Sequence, residues 1–314
     1  KAVLTWFSVL LVFSALVVTF APNYWILMAG RALLGVAIGG FWSMSTAIVM
    51  RLLPTDQVPK GLAALNAGNA IAATISAPLG SFLGEAIGWR GAFFLVVPLA
   101  LVALAWQWMT MPDLPAEDEK RTANVFRLLA RRQVALGMTA ILLLFMGQFA
   151  LFTYLRPYLE SVSGLDVTML SFVMLLMGLC GVAGTWAISR LLPQRLYALV
   201  IGMPITMALL AIGLVATSGS QIAVTLLLGA WGFVGTAAPV AWGTWLSQVL
   251  SDDAEAGGGL QVAVIQFAIT LGAALGGLLF DHIGWGSSFL FAAFLLVGSS
   301  LAAWAASSHW QNAK

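Results

Sequence analysis

The chain reads as long apolar runs separated by short polar breaks. A helix that crosses hydrocarbon needs about twenty mostly apolar residues at ~1.5 Å rise, because each backbone polar group must find its partner inside the span. That ruler predicts ten spans: Ala2 to Phe20, Tyr24 to Met50, Gly61 to Leu83, Gly91 to Thr110, Val134 to Leu155, Val167 to Ser189, Leu196 to Ala216, Gln221 to Leu246, Leu260 to Phe280 and Ser287 to Ala306. The first, with Lys1 ahead of it, has the outline of a secretory leader, but its apolar stretch matches the other nine and is expected to be a span like them.

Composition agrees with the pattern. Hydrophobic residues make up 61% of the 314 and charged residues 8%, whereas a water-soluble surface needs roughly a quarter charged residues. Lipid is therefore the expected solvent, and the expected class is an all-α membrane protein. The net charge of +2 rests on few groups, so the basic balance reports topology and no nucleic-acid partner is expected. The single cysteine, Cys180, and the two histidines, His282 and His309, are too scattered for a disulfide framework or a metal cluster.

Lys and Arg alternate sharply between loops. Lys1, Arg51, Lys60, Lys120, Arg121, Arg127, Arg131, Arg132, Arg190, Arg195 and Lys314 fall on one side; Arg90 and Arg156 fall on the other. Cytoplasmic loops carry the excess of positive charge, so both termini and the 111–133 connection are expected to face the cytoplasm. That connection is the expected boundary between a first bundle over 1–110 and a six-helix second bundle over 134–314.

An internal repeat supports the division. Shifted by 196 residues, Gly61 to Phe94 falls on Gly257 to Leu290 with twelve of 34 positions identical, among them Thr74 with Thr270, Gly80 with Gly276, and Ile87-Gly88-Trp89 with Ile283-Gly284-Trp285. Both copies run the same way through the membrane, which makes this a parallel repeat. Six spans follow the central connection and four precede it, so the offset leads us to expect two further spans roughly sixty residues ahead of Lys1. The ten spans would then be the third to twelfth of twelve.

Two segments carry a family resemblance. "GRALLGVAIGG" (Gly30 to Gly40) is similar to the arginine motif of the fourth helix in drug:proton antiporters of the major facilitator superfamily, with Leu34 where a glutamine is often found. "SAPLGSFLG" (Ser76 to Gly84) resembles their fifth-helix antiporter motif around Pro78, with Ala77 and Ser81 in place of glycines. "GGFWSMS", "APLGSFLGEAIGWR", "GQFALFTYLRP" and "QVAVIQFA" further resemble the purine ribonucleoside efflux pumps of bacteria. The resemblance implies a major facilitator fold of two bundles in a bacterial inner membrane. It also implies export of inosine, guanosine and analogues from the cytoplasm in exchange for protons, by a monomer without cofactor. The proton carrier it implies is an acidic residue in the first helix of the parent; no Asp or Glu lies in the middle of any of the ten spans.

The residues add a physical case. An arginine in hydrocarbon costs roughly 2.5 to 3.5 kcal/mol on insertion scales, so Arg31 is expected to face a bundle interior or a water-filled cavity, either serving transport or bracing helices through their carbonyls. A purine nucleoside offers a flat ring and hydrogen-bonding edges, which suit aromatic faces and uncharged amides. Candidates are Arg31, Trp42, Asn66, Asn69, Gln148, Tyr154, Trp242 and Gln266, set beside Trp231, Trp245, Gln261 and Thr270. Trp42 follows Arg31 by three helical turns and shares its stripe. Each Trp could equally anchor the span at a membrane interface, and each amide could simply bond helix to helix. The paired glycines Gly35 with Gly39, Gly80 with Gly84 and Gly272 with Gly276 are read as sites of close, sliding helix contact, with Pro78 and Pro239 loosening their helices.

No nucleophile, metal cluster or acid pair sits at bilayer depth, so no enzyme is expected. Efflux of drugs or sugars, and a transporter-like protein without flux, are the alternatives to nucleoside export.

Overall fold

The computed structural model describes residues 1–54, 57–112, 125–251 and 253–311, and the side chains of Asn66 and Pro78 lie outside the described ones. All regular structure among these residues is helical: α1 Ala2–Thr19, α2 Tyr24–Leu52, α3 Val58–Thr110, α4 Val125–Leu129, α5 Arg132–Phe152, α6 Leu155–Ser161, α7 Val167–Ala216, α8 Gln221–Gly235, α9 Ala238–Val249, α10 Ala254–His282 and α11 Trp285–Gln311.

Two of these helices are bent in the middle. α3 breaks at Gly88 (φ 76°, ψ 161°) and α7 at Arg195 (φ −135°, ψ 31°). Counting each arm, and taking α8 with α9 as one interrupted span, the described residues give the ten helical spans expected. The repeat extends to the helix boundaries: α3 starts at Val58 and α10 at Ala254, again 196 residues apart. The first copy's counterpart of the α8 and α9 pair is the continuous α2.

The chain forms two compact units. The first comprises Lys1–Ile48 and Ile75–Thr122; the second comprises Val49–Thr74 and Ala123–Lys314. The second unit thus includes the end of α2 and the start of α3.

Within the first unit, α1 packs on α2 through glycines: a Cβ at Gly30 would meet Val17 and Val18, and one at Gly40 would strike the Phe7 ring. On the other arm, Ser8 Oγ donates to Gln107 Oε1 at 2.7 Å, and the Arg90 guanidinium donates to the Ala21 carbonyl at 2.9 Å while lying over the Trp89 ring.

The second unit is laced by hydroxyls that donate to carbonyls of neighbouring helices. Ser299 reaches Ala140 at 2.7 Å, Ser300 reaches Ile201 at 2.8 Å, and Tyr158 reaches Leu214 at 2.9 Å. Backbones approach most closely at Gly184 against Phe233, Gly232 against Met177, and Gly272 against Met146, where no Cβ fits. Small residues let such helices gain dispersion contact when lipid supplies no hydrophobic drive between them.

Candidate functional site

α2 carries its polar stripe on the face turned away from α1. Gly30, Ala37 and Gly40 make the packed side; Arg31 and Gly35 are exposed, and Gly39 and Trp42 are half-exposed. Arg31, Gly35, Gly39 and Trp42 follow one another at intervals of four, four and three, which keeps them on one stripe. Among the described atoms nothing lies within 4 Å of a Cβ built on Gly35 or Gly39. The two glycines therefore leave a bare strip of backbone, about 16 Å long by helical rise, between a guanidinium and an indole. Gly80 and Gly84 are open in the same way. Close contact is found instead at Gly272 and Gly276, which abut the backbone of Met146 and Ala150.

Arg31 carries a permanent charge on an exposed face at bilayer depth. Such a charge demands water, a counter-ion or a polar ligand, since lipid acyl chains would cost it several kcal/mol. Asn69 on α3 is likewise exposed.

In the second unit the candidates divide. Gln266 and Thr270 share the exposed side of α10, where the Thr270 hydroxyl donates to the Gln266 carbonyl at 2.9 Å. Gln148 is half-buried on α5, and its amide covers Gly235 at the end of α8, with the Met207 methyl alongside. Gln148 Oε1 is sealed from solvent without a hydrogen-bond partner. Tyr154 serves as a tie: its hydroxyl donates to the Ala273 carbonyl at 2.8 Å and its ring stacks on Phe280 with centroids 5.2 Å apart. Gly277 leaves room for that hydroxyl.

Trp242 differs from its expected role as an open aromatic face. It is 1% exposed and meets Trp245 edge-on at 5.4 Å, and the Trp245 ring fills the space above Gly137. Trp231 is buried as well, at 2%. These rings anchor nothing at an interface; they are packing.

The sequence has Pro239 loosening a single span, and the structure divides that span into α8 and α9. Thr236 and Ala237 interrupt what was read as one span, and Pro239 sits in the first turn of α9, where its missing N–H forfeits no helical bond. Pro239 was the available signal. The break lies beside Gly235, the residue under the Gln148 amide.

Among the described residues, eight stretches are long and apolar enough to cross a membrane, and one of them, Thr168–Ala216, is 49 residues long and contains both arms of α7. The Major Facilitator Superfamily model matches residues 1–257. A Pseudomonas aeruginosa protein named transcription regulatory protein OpdE is 50% identical over 288 residues, covering 90% of this chain and 72% of that protein. The purine ribonucleoside efflux pump NepI of Escherichia coli K12 is 41% identical over 295 residues, covering 94% of this chain and 74% of the pump. Among solved structures, the human organic anion transporter MFSD10 superposes with a TM-score of 0.79 at 18% identity, over 96% of this chain and 76% of that one. The transporter FucP in its outward conformation gives 0.75 at 17%, over 98% and 83%.

Proposed function

Because the chain belongs to the Major Facilitator Superfamily and is a multi-pass membrane transporter, we propose that it exports purine ribonucleosides from the cytoplasm across a bacterial inner membrane in exchange for protons. The observation that carries the substrate class is the 41% identity to a purine ribonucleoside efflux pump over 94% of the chain.

The geometry supplies suitable chemistry. The strip between Arg31 and Trp42 gives a flat ligand a floor without side chains, with a cation for ribose or carbonyl oxygens at one end and a ring to stack on at the other. Asn69 and Gln266, both in the second unit, each offer a donor and an acceptor to a polar ligand. An uncharged substrate is matched by neutral amides such as that of Gln148, whose Oε1 has no hydrogen-bond partner among the described residues. Gly35, Gly39, Gly80 and Gly84, with Pro78, are assigned to the conformational change, in which open helix faces come into contact. The Lys and Arg distribution places both termini in the cytoplasm in this reading. Proton coupling is supported by the resemblance of Gly30 to Gly40 and Ser76 to Gly84 to antiporter motifs.

Everted membrane vesicles containing the protein should accumulate labelled inosine when the lumen is acidic, and collapse of the pH gradient should abolish the accumulation. Uptake equal to that of vesicles lacking the protein would refute nucleoside export. Chloramphenicol and arabinose as competitors separate drug and sugar efflux from nucleoside efflux. A second reading, a signalling relative without flux, is favoured by the 50% identity to a protein named as a transcription regulator; it requires nucleoside-dependent gene expression with no flux in the same vesicles.

A further inference from the structure

One end of the second unit gathers five arginines, of which one is ion-paired among the described residues. Arg127 on α4, Arg132 at the start of α5, and Arg190 and Arg195 around the bend of α7 are all exposed. The ion pair found there joins Arg131 to Asp253 at 3.1 Å, leaving these four without an ion pair among the described residues. Gln133 Nε2 donates to the Tyr197 hydroxyl at 3.1 Å, which draws the Arg132 and Arg195 turns together. Leu192 and Leu196 are buried and seat the bend, so its arginines are presented on a fixed turn. Arg190 lies flat on the Trp186 ring, 3.7 Å from the centroid, and that indole is 59% exposed on the flank of the helix.

These features fit the edge of a bilayer. Exposed indoles at helix ends settle at the headgroup level, and a stacked guanidinium keeps its N–H edge free for a phosphate oxygen. Four exposed cations with no ion pair among the described residues favour an anionic headgroup over a zwitterionic one. We propose that the 190–195 turn, with Arg132 beside it, is a binding site for the phosphate headgroup of an anionic phospholipid in the adjoining leaflet. Trp186 sits at the headgroup level beneath Arg190, and Arg190 and Arg195 hold the phosphate.

The test compares the protein in nanodiscs of phosphatidylcholine alone with an equal mixture of phosphatidylcholine and phosphatidylglycerol, reading retained lipid by native mass spectrometry and unfolding by thermal shift. Wild type should retain phosphatidylglycerol preferentially and unfold at higher temperature in the mixture. Arg190→Gln with Arg195→Gln should weaken that retention roughly 10- to 30-fold, since each cation near an anionic surface contributes about 1 kcal/mol. The same variant should match wild type in phosphatidylcholine alone, and the paired Lys substitutions should keep partial retention. Arg156→Gln, where the arginine is already paired with Glu160 at 2.8 Å, should respond like wild type. Undiminished retention by the double Gln variant, or equal retention of both lipids by wild type, would overturn the proposal. An equal thermal shift from inorganic phosphate in phosphatidylcholine discs would also overturn it, in favour of a free-anion site.

Discussion

Gly88 and Gly284, 196 residues apart, occupy the same place in the two copies of the repeat and share a backbone conformation open to glycine: φ is 76° at the first and 122° at the second. Each is followed by a tryptophan that begins the next helical arm, and each follows an acidic residue by three positions, Glu85 and Asp281. The glycines are kept because the chain must turn sharply outside the hydrocarbon, where a side chain at positive φ would strain the backbone.

Gly88→Ala and Gly284→Ala should therefore each destabilise the protein by about 1 to 3 kcal/mol. Thermal unfolding in detergent checks this against Gly84→Ala, which sits in an unstrained helix with nothing within 4 Å of the new methyl. That control should be neutral or slightly stabilising.

Closely packed glycines should respond differently from open ones. Gly184→Ala and Gly232→Ala force a methyl into the backbone of Phe233 and Met177, so folded yield should fall sharply. Gly35→Ala and Gly39→Ala should fold normally yet lower nucleoside export, because the methyl fills the strip between Arg31 and Trp42. Yield by size-exclusion chromatography and flux in vesicles separate the two classes.

Tyr154→Phe removes the donor to Ala273 and keeps the stack on Phe280. In membrane interiors such a hydrogen bond contributes about 0.6 kcal/mol, so a small drop in unfolding temperature is expected. Tyr154 is also a candidate ligand contact; an inosine KM raised more than tenfold would assign it that second role.

Arg31→Gln tests the cation directly. Export should fall at least about tenfold with normal membrane insertion, and Arg31→Lys should recover only part of it, since an ammonium cannot reproduce the planar fork. Unchanged flux in Arg31→Gln would remove Arg31 from the transport site.

Much of this architecture was legible from residue type alone. Span number followed from apolar length, and the Ile-Gly-Trp repeat aligned Gly88 with Gly284 without disclosing that either bends the chain. Helix faces were harder to read, for a physical reason: a span bathed in lipid is apolar towards both its neighbours and its solvent, so the usual contrast between wet and dry sides vanishes. Trp242 and Trp245 illustrate the loss, since nothing in "AWGTWLSQ" distinguishes a buried indole from one at an interface. Arg31 escaped that ambiguity because a guanidinium is never indifferent to hydrocarbon. The α8 and α9 break was legible only as the loosening expected at Pro239, because Thr236 and Ala237 keep right-handed helical angles and leave the hydropathy of the span undisturbed.

That break also separates the fates of two duplicated arms. Where the first copy has α2 as one continuous helix, the second divides into α8 and α9 at Thr236 and Ala237, which keep right-handed helical angles while Pro239 withholds an N–H from the ladder. Two arms of one duplicated segment thus differ in continuity, and the second carries its interruption beside the Gln148 amide.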